Sequence, residues 1–235
     1  MLLLAFDTAT PAVTVALHDG AHVLAETTTV DARRHGELLA SSIDAVLTEA
    51  GAGRLDITAV AAGTGPGPYT GLRVGLVTAR VLGSALGVPV YGVSTLDVIA
   101  ADAAAAAGGR EFIVATDARR REVYWARYDA TGRRLDGPAV GIPADVAETI
   151  AARQDAPGSQ GAPGGPGILA AGTGALLYPG VLGQPIEPSY PAAGTLARLA
   201  ARQFAAGAPG TGAEPIYLRR PDARVPGPPK RVTVP

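Results

Sequence analysis

The residues with the clearest potential for chemistry stand directly after buried strands. Asp7 and Thr8 follow the apolar run 2–6. A carboxylate with a hydroxyl beside it at a strand end can coordinate Mg²⁺ or phosphate. The same residues can instead form an Asx turn, in which their side chains bond the neighbouring backbone. We favour the turn because Ala9 stands beside them, and its β-carbon would obstruct the close approach of a phosphate.

A glycine-rich loop provides a second candidate. Gly65 and Gly67 lie between a predicted strand and a predicted helix, and backbone N–H groups at a helix start can bind an anion. Pro66 and Pro68 each remove one of those donors. The loop is therefore either a structural turn or a nucleotide contact that needs a partner to complete it.

The counts of reactive side chains exclude several classes of enzyme. The 235 residues include no cysteine, which excludes thiolate nucleophiles, disulfide scaffolds and cysteine zinc sites. The three histidines form no HExxH helix, and the single lysine, Lys230, lies in a proline-rich tail. We therefore expect no catalytic set and no metal site on this chain. His18 and His22 flank a hairpin turn and are expected on the surface.

The composition is that of a globular chain. Hydrophobic residues make up 47%, charged residues 17%, and the net charge is −1, which is unlike a nucleic-acid-coating protein. No apolar run approaches the ~18 residues that would cross a bilayer, and the start lacks the basic region of a secretory signal. We expect a soluble, cytoplasmic protein with no membrane partner.

The pattern of apolar residues and turn formers predicts a mixed α/β sheet, because an antiparallel start is followed by a βαβ crossover. Ser94 and Asp97 have the spacing of a capping box at a helix start. Strands are predicted over 2–6, 12–18, 21–30, 57–62, 88–93, 112–116, 122–128 and 168–171. Helices are predicted over 36–50, 70–87, 94–108, 144–153 and 195–206, the last with apolar contacts at Leu196, Leu199 and Phe204.

The second half of the chain repeats the first. Asp117 ends a strand as Asp7 does, 110 residues earlier, and Gly172 follows Gly63 by 109. Two landmarks at one spacing predict a duplicated βββαβα unit. We expect an N-terminal lobe over 1–108, a C-terminal lobe over 109–220 and a disordered proline-rich tail over 221–235. A flexible Gly/Pro loop is expected over 157–167.

The helix over 70–87 has glycine or alanine at every fourth position, at residues 71, 75, 79, 83 and 87. Glycine inside a helix costs about 0.5–1 kcal/mol relative to alanine, so this face needs another backbone close to it. That backbone belongs either to the chain's own sheet or to another subunit. Leucines beside the glycines, with apolar residues of the helix over 36–50, could then contact a partner.

Several motifs, in order along the chain, resemble one family. They are LAFDTAT at 4–10, GPGPYTGLRVG at 65–75, GVSTL at 92–96, DAR at 117–119 with EVYWA at 122–126, and EPIYLR at 214–219. The duplicated unit resembles the two-lobed actin, Hsp70 and sugar-kinase superfold (ASKHA), and the motifs resemble the TsaB (YeaZ) family within it. The similar blocks span residues 4 to 219.

The resemblance implies a non-catalytic subunit of the bacterial complex that installs N6-threonylcarbamoyl on adenosine 37 of ANN-decoding tRNAs. In that complex the paralogue TsaD is catalytic and TsaE is an ATPase. The resemblance also implies that the two N-terminal helices contact TsaD, that the chain alone can form a homodimer, and that tRNA contact is indirect. ATP or ADP and the metal would belong mainly to the partner subunits, with no cofactor bound tightly here.

Two sets of residues follow from these arguments. The predicted partner interface consists of His35, Leu39, Ile43, Val46, Leu72, Gly75, Leu76, Ala79, Leu82 and Gly83. The predicted nucleotide contacts, in a site shared with a partner, are Asp7, Thr8, Gly65, Gly67 and Asp117. The arginine groups 119–121, 133–134 and 219–220 are expected to be solvated, with only minor RNA contact. Arg119 and Glu122 are expected to form an ion pair or to border the cleft between the lobes.

Two other functions remain open. A free-standing ATPase or small-molecule kinase of the same superfold would use Asp7 and Asp117 around the phosphates. A metallopeptidase would need bound metal. However, the metal-binding His-x-Glu-x-His segment of the paralogue falls on Thr95, Asp97 and Ile99 here, and neither threonine nor isoleucine replaces an imidazole ligand.

Overall fold

The structure is a computed structural model that describes residues 1–154, 167–210 and 212–219. The strands are β1 (Leu3–Asp7), β2 (Ala12–His18), β3 (Val23–Val30), β4 (Ala59–Gly63), β5 (Val90–Val93), β6 (Phe112–Asp117), β7 (Val123–Tyr128), β8 (Arg134–Gly141), β9 (Leu169–Ala171) and β10 (Gln184–Pro185). The helices are α1 (His35–Glu49), α2 (Tyr69–Leu86), α3 (Thr95–Ala106), α4 (Pro143–Gln154), α5 (Thr173–Leu177) and α6 (Ala193–Ala205), with a 3-10 turn at Arg54–Asp56. The predicted tail over 221–235, and all but the last residue of the loop over 157–167, lie outside the described residues.

The strands form two five-stranded sheets with equivalent connections, β3-β2-β1-β4-β5 and β8-β7-β6-β9-β10. In each sheet the first strand of the unit runs antiparallel to the second and parallel to the fourth. This equivalence confirms the predicted duplication and the mixed α/β class. Each unit contains one strand and one helix more than the predicted βββαβα pattern. The additional elements are β5 and α3 in the first unit and β10 and α6 in the second.

The first sheet is covered on both faces. Leu4 and Phe6 of β1 pack with Leu39 of α1 and Leu72 of α2. The opposite face, which includes Leu3, is covered by α6. Side chains alternate along β1 and both of its faces are buried, which explains why residues 3–6 are all apolar.

The second sheet is covered in the same way. Phe112 of β6 packs with Leu96 of α3 on one face. Ile113, the next residue, packs with Val146 of α4 on the other face. The two units thus exchange helices: α3 follows the first sheet in sequence but packs on the second, and α6 follows the second sheet but packs on the first. One helix from each of the expected lobes, 1–108 and 109–220, thus packs on the sheet of the other.

Several local predictions were wrong for identifiable reasons. Phe204 of α6 is 39% exposed and meets only the edge of the Tyr91 ring, because the buried face of this helix is mostly alanine. The Ser94 hydroxyl donates to the Gly65 carbonyl at 3.3 Å and makes no capping bond. His18 is 2% exposed, and its Nδ1 accepts the Gly20 N–H at 2.9 Å.

Within the residues that the structure describes, no helix has both the length and the apolar character that crossing a membrane requires.

Candidate functional site

The carboxylate of Asp7 is fully buried and bonded within the chain. Its Oδ1 accepts the Ala9 N–H at 2.7 Å, and its Oδ2 accepts the Thr95 hydroxyl at 2.7 Å. Burial raises the pKa of Asp7, and these hydrogen bonds only partly oppose the rise. A side chain at Gly63 on the neighbouring strand would overlap the carboxylate. The β1–β2 turn is therefore the Asx turn that the sequence favoured over a ligand site.

Thr8 docks into the glycine-rich face of α2. Its hydroxyl donates to the Gly71 carbonyl at 2.7 Å and accepts the Gly75 N–H at 3.0 Å, so it inserts between a carbonyl and an N–H four residues apart in the helix. A β-carbon at Gly71 would lie 2.6 Å from the Thr8 carbonyl oxygen, and one at Gly75 would lie 2.6 Å from the Thr8 hydroxyl oxygen. The β1–β2 turn therefore packs closely on the glycine face of α2, with the Thr8 side chain inserted between them.

The rest of this face also packs inside the chain. Ala79 is fully buried, and a β-carbon at Gly83 would overlap Val90 of β5. The sequence left open whether the glycine face of α2 packs against the chain's own sheet or against another subunit. In the structure it packs against the chain's own sheet. Gly75, Ala79 and Gly83, which were predicted in the partner interface, are not on the surface of α2.

The glycine loop before α2 is closed against the β1–β2 turn. The Gly65 N–H donates to the Thr95 hydroxyl at 3.1 Å, and the Gly65 carbonyl accepts the Thr95 N–H at 2.9 Å. A side chain at Gly67 would overlap the carbonyl of Ala9. Asp7, Thr8, Gly65 and Gly67 therefore lie together as predicted. The side chains of Asp7 and Thr8 and the backbone of Gly65 are bonded to the β1–β2 turn, α2 and α3.

Asp117 repeats the arrangement of Asp7 in the second unit. Its Oδ1 accepts the Arg119 N–H at 2.7 Å, and the Arg119 guanidinium lies 3.2 Å from its Oδ2. Arg119, Arg120 and Arg121 all have left-handed backbone, with φ of 62°, 54° and 61°. Glu122 pairs with Arg219 and not with Arg119.

A cleft of about 350 Å³ lies between the two sheets. The Tyr69 and Tyr217 rings stack at 5.8 Å on its first-sheet side, and the Arg73 guanidinium lies 4.3 Å from the Tyr69 ring centre. Arg119 borders the opposite side, as expected. Burial raises the pKa of Tyr124, which also lines the cleft. Of the five predicted nucleotide contacts, Gly67 is the one that lines this cleft.

Most of the apolar residues predicted in the partner interface belong to the core of the first sheet. Only His35 and Leu82 are partly exposed, and the His35 Nε2 lies 2.8 Å from the Thr10 carbonyl oxygen. The buried members are Leu39, Ile43, Val46, Leu72 and Leu76. The prediction took the largest apolar residues as contacts, but these are the residues that a helix packs against its own sheet.

The surface of α2 instead presents valines. Val77 is 56% exposed and Val81 is 59% exposed. They lie one turn apart, with the partly buried Val74 one turn before Val77. We call Val74, Val77 and Val81 the valine face of α2. Valine is a poor residue for an exposed helix position, and its spacing of three and four residues outside the glycine and leucine positions was a signal that the sequence already contained.

The position of the paralogue's metal ligands is occupied by structural contacts. Thr95 and Ile99 are fully buried. Asp97 accepts the Tyr128 hydroxyl at 2.8 Å and lies 3.3 Å from the Arg134 guanidinium. Across the ranges described, no group of three or more His, Cys, Asp or Glu side chains is placed to hold a metal ion.

Comparison with known proteins places the chain in a family. A family model described as "TsaD: tRNA N6-adenosine threonylcarbamoyltransferase" matches residues 22–175. The uncharacterized protein Rv3421c of Mycobacterium tuberculosis is 44% identical over 229 residues, which cover 94% of this chain and 93% of that protein. The tRNA threonylcarbamoyladenosine biosynthesis protein TsaB of Escherichia coli is 40% identical over 128 residues, which span 54% of this chain and 55% of that protein.

Solved structures give the same assignment. YeaZ from Pseudomonas aeruginosa is 31% identical with a TM-score of 0.72, covering 92% of this chain and 99% of that one. A second Pseudomonas aeruginosa structure, of a protein with similarity to peptidase YeaZ, is 32% identical with a TM-score of 0.76, covering 93% and 99%. The predicted two-lobed, actin-like fold with a duplicated unit is thereby confirmed.

Proposed function

This chain belongs to the TsaB (YeaZ) family, and from that membership we propose that it takes part in forming threonylcarbamoyladenosine in tRNA. Its role is that of a non-catalytic subunit. It binds a TsaD-like paralogue and supports threonylcarbamoyl transfer to adenosine 37 of ANN-decoding tRNAs. This role places the chain in the cytoplasm with its tRNA substrate.

The observation that carries this proposal is the use of Asp7 and Thr8 inside the fold. Both Asp7 carboxylate oxygens and the Thr8 hydroxyl are bonded to backbone or side-chain groups of the chain itself. These bonds give each of the three oxygens a structural partner inside the chain. We therefore assign no covalent step to this chain, and we assign ATP and the metal to its partners.

The partner contacts the valine face of α2. Two valines that are each more than half exposed leave apolar area in water that a partner helix would bury. At about 25 cal/mol per Å², burying them contributes about 1 kcal/mol each, which is about tenfold to thirtyfold in affinity for the pair. The same face would mediate the homodimer when the partner is absent, and a TsaE-like ATPase would join the assembled complex.

The chain would support its partner through the rigid placement of α2. Thr8 and the glycine loop hold α2 rigidly against the first sheet, so the valine face is presented with little conformational freedom to lose on binding. Packing a partner helix against this fixed surface would restrict the partner to its active arrangement.

The first test is size exclusion with light scattering of this chain, alone and mixed with its TsaD-like paralogue. We expect a stoichiometric complex, and we expect tRNA modification to require both proteins. The variant Val77→Ser/Val81→Ser should bind at least about tenfold more weakly with an unchanged circular dichroism spectrum. Leu55→Ser is the matched control, because Leu55 is 89% exposed and lies outside α2.

Two results would contradict the proposal. The partner interface would be misplaced if the valine variant bound as tightly as the control. A subunit role would be wrong if the isolated chain hydrolysed ATP and Asp7→Ala abolished that activity, because this result would identify a free-standing ATPase or kinase.

A further inference from the structure

A second groove lies away from the valine face, where residues far apart in sequence meet. It has a volume of about 780 Å³. Its floor is α3, one wall is the β7–β8 turn and the other wall is α6. The turn packs tightly on the floor, because a β-carbon at Gly132 would lie 3.1 Å from the Ala100 carbonyl oxygen. The reciprocal exchange of α3 and α6 between the sheets therefore builds this groove.

Four arginines line the groove. Arg133 and Arg134 come from the turn and the start of β8, and Arg198 and Arg202 lie one helical turn apart on α6. The sequence predicted a solvated basic spot for Arg133 and Arg134, and it gave no prediction for Arg198 and Arg202. The fold brings the two pairs to opposite walls of one surface.

Three of the four arginines pair with an acid of the chain, and each pairing uses part of the guanidinium group. The Arg133 Nε lies 3.0 Å from Asp129 Oδ2, and the rest of its side chain is largely exposed. Arg198 uses one terminal nitrogen for both Asp102 and Thr195. A guanidinium has five N–H groups, so these bonds leave donors that face the groove. The Arg202 side chain is exposed, and no hydrogen bond or ion pair joins it to another described side chain.

The charge of the groove is positive. Among its lining residues Asp97 is the one acid, against four arginines. Two further acids, Asp102 and Asp129, lie behind the arginines as their partners, so four arginines face three acids and one positive charge is in excess. Hydrogen bonds from the Thr131 side chain and nearby backbone lower the pKa of Asp129 to about 2, so it orients Arg133 at neutral pH. The net charge of the whole chain is −1, so the positive charge is a local feature.

The kind of ligand follows from what lines the groove. No aromatic ring is among its described lining residues, so it offers no platform on which a nucleobase could stack. Two guanidinium groups lie on each wall, and planar guanidinium groups bind phosphate oxygens with paired N–H donors. A chain of phosphates offers oxygens to both walls.

We propose that this groove binds the phosphodiester backbone of the tRNA substrate directly. The proposal rests on the proposed function, since it assumes that the chain works in a tRNA-modifying complex. Contacts to phosphates position an RNA without reading its sequence. The chain would therefore hold the tRNA body while its partner acts on the adenosine, in place of the indirect contact that the resemblance implies.

The test uses the full chain assembled with its TsaD-like partner and an unmodified ANN-decoding tRNA transcript. Arg202→Gln should weaken tRNA binding about threefold, and Arg133→Gln/Arg202→Gln about tenfold. The slope of log affinity against log salt should fall by about one for each arginine removed. Arg153→Gln is the matched control: it removes the same charge from α4, which packs on the other face of the second sheet, and it should change neither quantity.

Steady-state kinetics separate the possible failures. We expect the double variant to raise the KM for tRNA about tenfold and to leave kcat and complex formation unchanged. The inference is overturned, and the proposed function kept, if tRNA affinity and its salt dependence match those of Arg153→Gln in a complex that is active. It is also overturned if the double variant loses the protein partner, because the groove would then bind protein. The proposed function fails if the wild-type chain neither binds the paralogue nor supports modification.

Discussion

The substitution Gly75→Ala tests the intramolecular docking of Thr8 against the alternative that this face of α2 meets another subunit. The added β-carbon would lie 2.6 Å from the Thr8 hydroxyl oxygen, and no ordinary contact is that short. Thr8 is 2% exposed, so its side chain has little room to turn away. The first consequence of the substitution should therefore be loss of stability, not loss of a partner.

The size of the effect can be worked from three contributions. Replacing a helix-interior glycine by alanine stabilises by about 1 kcal/mol. Displacing the Thr8 hydroxyl loses its two hydrogen bonds, to the Gly71 carbonyl and from the Gly75 N–H, at about 1 kcal/mol each. Overpacking adds about 1–3 kcal/mol. We expect a net loss of about 2–4 kcal/mol in the free energy of unfolding.

The assay is urea unfolding followed by far-ultraviolet circular dichroism, with the midpoint compared at constant slope. Gly36→Ala is the matched control, because Gly36 lies in α1 and a β-carbon there would meet nothing within 4 Å. We expect it to be neutral or slightly stabilising. Thr8→Ala removes the obstructing hydroxyl, so Gly75→Ala should cost at least about 1 kcal/mol less in that background than in the wild type.

Two outcomes would refute this reasoning. In the first, Gly75→Ala stabilises the chain as Gly36→Ala does and shows no coupling to Thr8→Ala. In the second, Gly75→Ala leaves the midpoint unchanged but prevents binding of the paralogue, which would show that the glycine stripe is an intermolecular contact after all.

Two further predictions concern other parts of the chain. Burial lowers the pKa of His18 below 6.5. The unfolded chain therefore takes up the proton first as the pH drops, and the free energy of unfolding falls below about pH 6.5. His18→Asn keeps an acceptor for the Gly20 N–H and should flatten the fall in unfolding midpoints between about pH 7 and about pH 5; an unchanged slope would contradict this. Tyr217→Ala removes the ring that stacks on Tyr69 at 5.8 Å. Losing this stack should make local opening of residues 212–219 about 1 kcal/mol easier, so limited proteolysis should cut them about fivefold faster. Tyr217→Phe should behave nearly as wild type, and equal cleavage of all three proteins would exclude the stack as the anchor.

The duplication was predictable from the sequence because turn chemistry is local. Asp7 and Asp117 each accept the N–H two residues later at 2.7 Å, and an acid followed by a turn at the end of an apolar run specifies this geometry without any distant contact. The helices were predictable for a similar reason, since apolar spacing and glycine stops lie within each segment.

The exchange of α3 and α6 could not be predicted in that way. Apolar spacing shows that α6 has a face to bury, but nothing in residues 193–205 specifies which sheet covers it. The arginine groove depends on this exchange, so it was equally invisible. His18 was misplaced because a residue beside a two-residue turn is usually exposed, whereas here the Gly20 N–H needed its ring nitrogen as an acceptor.

The two sides of α2 explain how one helix can serve both the fold and a partner. The strip of its inner side that faces the β1–β2 turn consists of glycines, and the Thr8 hydroxyl enters the space at Gly71 and Gly75. This contact closes the β1–β2 turn, where the resembled superfold would place phosphates. Its outer side, where Val77 and Val81 lie, is the side to which the proposed function assigns the partner. Under that proposal stability and partner binding depend on opposite sides of α2, and substitutions on the two sides should separate them.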